Sequence, residues 1–177
     1  METNTRTKKH TQHFMPVKMK KVLIALDFDP SAAKVAESGY SLAKSMKAEV
    51  VLLHVMGGIN YYTSLEYSPI MGYSGFSDAV TANLIDVDKI RDASENFLNE
   101  SKRHLGDENI KTLVADGDSA EEILRTAESI NADLIVVGTH SRRGLEKILM
   151  GSVAEKVFHK TSIPLFIVPT KKVEKEK

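Results

Sequence analysis

The sequence predicts an α/β protein: one doubly wound domain whose five-stranded parallel sheet, in the order 3-2-1-4-5, carries helices on both faces. Three observations predict it. Short continuous apolar runs at 22–26 (VLIAL), 50–55 (VVLLHV) and 134–137 (LIVV) read as strands buried on both faces, as parallel strands are. The first two runs flank a helical stretch, and strand, helix, strand within about 35 residues is a right-handed βαβ unit that forces parallel pairing. The third run stops at Gly138, and the chain resumes at Gly151-Ser152 as an amphipathic helix. A strand end, a gap and a helix N-terminus together form the kind of crevice that α/β sheets offer to ligands.

The elements follow in order. Residues 1–19 are polar and basic without apolar period, and are read as a disordered N-terminal extension, with a small anion-binding or partner-binding arm as the alternative. The first strand ends at Asp27. Phe28-Asp29-Pro30-Ser31 is a turn, and Ala32, Val35, Ala36, Gly39, Leu42, Ala43 and Met46 mark the buried stripe of a helix over 32–46. After the second strand, 57–85 is rich in Gly, Ser and Tyr and reads as a long flexible insert, its tyrosines as half-buried packing. A helix over 86–105 has Val87, Ile90, Ala93, Phe97, Leu98 and Leu105 on one side and Gly106 at its end. Residues 110–115 (IKTLVA) make a more exposed edge strand. Asp116-Gly117-Asp118 turns, and Ser119-x-x-Glu122 reads as a capping box opening a helix through Ile130. A helix from 152 to about 161 precedes a fifth strand at 163–169 (IPLFIVP), whose prolines belong at a sheet edge. The folded domain spans 20–170, and 171–177 is a charged tail.

Composition excludes several functions. The 177 residues hold 24 Lys+Arg against 24 Asp+Glu, so no global field draws nucleic acid or an anionic membrane. There is no cysteine, hence no disulfide, thiolate metal site or cysteine nucleophile. No apolar run reaches the roughly 18 residues of a membrane span, and a cytoplasmic location is expected. No Walker lysine motif, H-E-x-x-H or G-x-S-x-G is present, and the first βα turn lacks the dehydrogenase glycines. No catalytic residue is assigned. His54, inside an apolar strand, reads as a packed core histidine.

In the predicted strand order, Asp27 and Gly138 meet at the point where the connections of strands one and four leave in opposite directions. Asp27 either caps the following helix or hydrogen-bonds a ligand hydroxyl or amine. The helix N-terminus at Gly151-Ser152 offers unpaired N–H groups to a phosphate. Arg142, Arg143 and Lys147 bring positive charge beside it, and His140 can contact phosphate.

The spacing Gly138-x2-Ser141-x9-Gly151-Ser152 resembles the G-x2-G-x9-G-[S/T] nucleotide motif of the universal stress protein family, in register except that Ser141 stands at the second glycine. The resemblance extends over 20–170 and implies a Rossmann-like fold of the adenine nucleotide alpha hydrolase-like kind. It also implies a site. Asp27 would meet ribose or adenine, Val55 and Val137 would lie against the base, and Ala25 fits a position that is often proline or alanine. Gly138 would meet the ribose-phosphate, and Gly151, Ser152 and Val153 the phosphates, with His140, Ser141, Arg142 and Arg143 in the loop between. A serine forced to positive φ costs about 1 kcal/mol, which weakens binding without abolishing it. The implied ligand is ATP, with Mg²⁺ held through its phosphates, and the implied role is a stress-response sensor or signalling module, at most a slow ATPase. The alternative is a dimeric adaptor of the same fold whose crevice stays empty. A homodimer is expected through the apolar edge strand bounded by Pro164 and Pro169, which would be a hazard if left bare. No membrane or nucleic-acid partner is expected.

Overall fold

The computed structural model describes residues 19–57, 87–139 and 151–170. In chain order these form β1 (Lys21–Ala25), α1 (Ala32–Met46), β2 (Glu49–Met56), α2 (Val87–Leu105), β3 (Lys111–Asp116), α3 (Ser119–Ser129), β4 (Leu134–Gly138), α4 (Ser152–Lys160) and β5 (Leu165–Val168). The strands hydrogen-bond in the order β3-β2-β1-β4-β5, every neighbouring pair parallel, as the sequence predicts.

Side chains alternate across a strand, so each central strand feeds two cores. On one face Val22, Ile24, Leu52 and Val136 meet Val35 of α1, Phe97 and Leu98 of α2, and Phe28 from the β1–α1 turn. On the other, Leu23, Val51, Leu53, Ile135 and Val137 meet Ile123 and Ala127 of α3 and Ala154 and Val157 of α4. α1 lies very close to the sheet because Gly39 has no side chain there. A Cβ on it would fall 2.8 Å from Ile24 Cδ1 and 3.1 Å from Val136 Cγ1.

Two local expectations are corrected. The cap of α3 is Asp118, not Ser119: Asp118 is extended (φ −69°, ψ 123°), and its carboxylate accepts from the Ala120 and Glu121 N–H groups. Ser119 is therefore the first helical residue. Val87 is not on the buried stripe of α2 but 48% exposed. The stripe instead includes Ser94 and Ser101, whose hydroxyls donate to the Ile90 and Phe97 carbonyls at 2.7 and 2.9 Å and so enter the core satisfied. Gly106 ends α2 at φ 66°, its N–H shared by the Lys102 and Arg103 carbonyls. The N-terminal extension, the tyrosine-bearing insert and the charged tail fall outside the described residues, apart from Met19, which packs on the core, and Gly57.

Candidate functional site

β1 and β4 pair from Val22↔Leu134 to Ile24↔Val136 and then separate. Past that point the Leu26 N–H donates to the Leu53 carbonyl at 2.8 Å, and the Thr139 N–H to the Val168 carbonyl at 3.0 Å. One exit leans toward β2 and the other toward β5. The gap between them is a crevice of about 850 Å³, solvent at its mouth included.

Eight of the residues proposed from the sequence border this crevice: Ala25, Asp27, Val55, Val137, Gly138, Gly151, Ser152 and Val153. They come from three strands and one helix, and the topology alone brings them together. The remaining four, His140, Ser141, Arg142 and Arg143, lie outside the described residues. Sequence reasoning missed Leu53, Ile123 and Val35, which extend the apolar wall, and Ser31, Ser119 and Thr139, which add hydroxyls. A signal for two of them was available. Ser31 and Ser119 begin the helices that follow β1 and β3, and such starts sit at the carboxyl edge of a parallel sheet.

Three helix N-termini thus reach one crevice, α1 at Ser31, α3 at Ser119 and α4 at Gly151-Ser152. Their dipoles favour negative charge; Asp29 and Asp118 already accept the first N–H groups at α1 and α3, whereas α4 has no side-chain cap. Asp27 is the one charged residue among the described lining residues. Its Oδ1 accepts the Asp29 N–H at 3.3 Å, whereas Asp29 accepts the Ser31 N–H at 2.8 Å and offers its carbonyl to the Ala32 N–H. Asp29 therefore closes the turn into α1, and Asp27 borders the crevice.

On the β4 side, a Cβ at Gly138 would meet Val35 Cγ2 at 3.0 Å and Thr170 Cγ2 at 3.1 Å. Gly151 caps α4 with its backbone, accepting the Glu155 N–H at 2.9 Å, and donates its own N–H to the Thr139 carbonyl at 2.5 Å. Thr139 and Gly151, the described residues that flank 140–150, are thus a hydrogen-bonded pair on the crevice rim. Below Asp27, His54 is a packed core side chain, as the sequence predicts. Burial pushes its imidazole down to about 4, against the weaker opposite pull of its bond to the Leu26 carbonyl. Among the described residues no group of three or more His, Asp or Glu is placed to hold a metal ion, and no helix is long and apolar enough to cross a membrane.

Fold and crevice together define a doubly wound α/β protein with an open site at its topological switch point. The profile of the universal stress protein family matches residues 18–169, and the chain belongs to that family. It is 31% identical over 161 residues to universal stress protein MJ0577 of Methanocaldococcus jannaschii, covering 89% of this chain and 99% of that one. Universal stress protein YxiE of Bacillus subtilis is 29% identical over 150 residues, covering 84% and 97%. The solved structure of MJ0577 matches with a TM-score of 0.64 at 27% identity, over 88% of this chain and 99% of that chain. A universal stress protein solved in complex with cAMP matches with a TM-score of 0.55 at 18% identity, over 88% and 100%, a likeness of fold alone.

Proposed function

We propose that this universal stress protein binds an adenine nucleotide, ATP with Mg²⁺ carried on its phosphates, in the crevice between the β1 and β4 exits. The observation that carries the reading is the convergence of Asp27 and the Gly151-Ser152 helix start on one gap between parted strands. In this reading the Asp27 carboxylate takes a ribose hydroxyl or the adenine amine, and Val55 and Val137 lie against the base. Gly138 leaves room for the ribose-phosphate. Ala25 shapes the floor, and the N–H groups at Ser152 and Val153 with the Ser152 hydroxyl hold phosphate. His140, Ser141, Arg142 and Arg143, in the segment that starts and ends at the rim, supply charge and donors to the triphosphate. The fold's ability to accept such a ligand is supported by the neighbour solved with cAMP.

We infer a nucleotide-dependent sensor or signalling module of the cytoplasm, with at most slow ATP hydrolysis. Dimerisation through β5 is part of the proposal. Phe166, 38% exposed at the sheet edge, is the side chain a second copy would cover.

Isothermal calorimetry with ATP and Mg²⁺ tests the site. Binding is expected for the natural chain, weakened about tenfold by Asp27→Ala and somewhat less by Ser152→Ala, each of which removes a hydrogen bond to the ligand. No heat at millimolar nucleotide overturns the reading and leaves a dimeric adaptor. Light scattering on Phe166→Lys tests the dimer, with a monomer expected and an unchanged mass refuting the β5 interface.

A further inference from the structure

His54 does not border the crevice, yet it holds both neighbours of the residue that does. Its side chain lies on the α1–α2 face, opposite those of Leu53 and Val55, and is 1% exposed. The ladder between β1 and β2 ends with the Leu26 N–H. Beyond it, the His54 Nδ1–H supplies a donor to the Leu26 carbonyl at 2.8 Å. The same ring lies against Phe28, centroids 4.3 Å apart, and edge-on to Phe97 at 5.9 Å. Leu26 and Phe28 are the residues on either side of Asp27.

The arrangement carries a cost. With Nδ1 protonated to serve Leu26, Nε2 is an acceptor, and it has no hydrogen-bond partner among the described residues. A buried unpaired acceptor is destabilising, and a phenyl ring of similar shape would avoid it while keeping the aromatic contacts. What only the imidazole adds is the bond to the carbonyl directly before Asp27.

We propose that His54 is a positioning residue for the crevice: by bonding the Leu26 carbonyl and packing on Phe28 it fixes the chain on both sides of Asp27 and so aims the carboxylate at the ligand. The proposal rests on the nucleotide reading above. It also has a consequence in the ligand-free protein, where the Asp29 N–H bonds the Asp27 carboxylate.

Two variants separate the parts played by the ring. His54→Phe keeps the aromatic contacts and removes the donor; His54→Asn keeps an N–H donor near the position of Nδ1 and removes the ring. Calorimetry with ATP and Mg²⁺ is expected to show binding about tenfold weaker in His54→Phe, the scale of one lost hydrogen bond, and largely restored in His54→Asn. In an Asp27→Ala background, His54→Phe should produce no further loss, because the carboxylate that His54 aims is already gone. Unchanged affinity in His54→Phe, or an equal loss in both backgrounds, overturns the proposal. Without nucleotide, hydrogen exchange at the Asp29 amide should be faster in His54→Phe and near normal in His54→Asn. Unchanged protection there overturns the positioning role whatever the ligand. Failure of the natural chain to bind ATP overturns only the nucleotide reading, and the exchange experiment then decides the role of His54.

Discussion

The two faces of the sheet are built from different materials. Against α1 and α2, the sheet meets Phe28, Phe97 and the His54 ring, with Phe28 and Phe97 centroids 4.8 Å apart, and Gly39 lets the helix backbone press onto Ile24. Against α3 and α4 the filling is aliphatic and small, with Ala120, Ala127, Ala132 and Ala154 among its members. The crevice draws its apolar wall largely from this second face, from Leu53, Val55, Ile123, Val137 and Val153. One face is filled by aromatic rings, and the other, filled by smaller side chains, gives the crevice most of its apolar wall. The difference teaches that residues that never touch the site, His54 and Phe97, pack against Phe28 beside the wall residue Asp27.

The sharpest way to break this comparison is to truncate one large side chain on each face. Phe97→Ala, 1% exposed and between two rings, should cost about 3–5 kcal/mol, the transfer of the ring plus the cavity it leaves. Ile123→Ala should cost less, about 2 kcal/mol, because Ile123, itself 4% exposed, borders the crevice and its truncation enlarges an existing gap rather than opening a closed cavity. Urea unfolding of both variants measures the difference. Equal losses would mean that the two faces bear the fold alike.

Acid probes the same face by a second route. The imidazole of His54 takes a proton only near pH 4 when folded but near 6.5 when unfolded, so between these values the unfolded chain binds more protons. Stability is therefore full above pH 6.5 and declines as the pH falls toward 4, by up to about 3 kcal/mol. His54→Phe should flatten that part of the profile. A natural chain whose urea midpoint is constant from pH 7 to 4.5 would show that the ring is not as desolvated as its surroundings indicate.

Close packing at Gly39 gives a smaller effect. An added methyl meets Ile24 and Val136, both fully buried and unable to retreat, and overpacking of this kind costs roughly 1–3 kcal/mol. Alanine returns about 1 kcal/mol through helix propensity, so Gly39→Ala should lose up to about 2 kcal/mol net. A stabilised variant would show that α1 can lift from the sheet.

How much of this was legible in the sequence follows from which signals are periodic. α1 was readable residue by residue over 32–46, because seven small or apolar positions keep one period and Lys47, at φ 54°, stops it. The strand order was readable because βαβ units leave few topologies, and with it the meeting of Asp27 and Gly138. Cap identity was not. Asp118-x-x-Glu121 and Ser119-x-x-Glu122 both fit a capping box, and the choice is made by the turn at Gly117, φ 145°, which composition does not reveal. The burial of Ser94 and Ser101 was hidden for a related reason. A hydroxyl that bonds its own helix counts as polar in sequence and as satisfied in space. The grip of His54 on Leu26 depends on where the β1–β2 ladder stops, a property of register rather than of residue type.

The thin face supplies the smallest test. α3 and α4 share few large side chains, and Asp118 joins them. Its Oδ1 caps α3, and its Oδ2 lies 3.3 Å from Lys156 Nζ on α4. The cap should dominate: Asp118→Ala should cost about 1 kcal/mol, while Lys156→Ala, removing an exposed pair, should cost a few tenths and vanish in high salt. The Glu121 N–H, and then Lys156, hold the carboxyl below its usual 3.8, so this contribution is present above that value and is lost only as the pH falls through the lowered one. That window lies below the His54 window, and the two faces can be titrated in turn. Asp118→Asn, which keeps an acceptor oxygen for the cap but not the charge, should lose at neutral pH only the few tenths of a kcal/mol that the charge adds, and should show none of the acid dependence. Should it instead fall as far as the alanine variant, charge rather than the hydrogen bond is what holds α3 to α4.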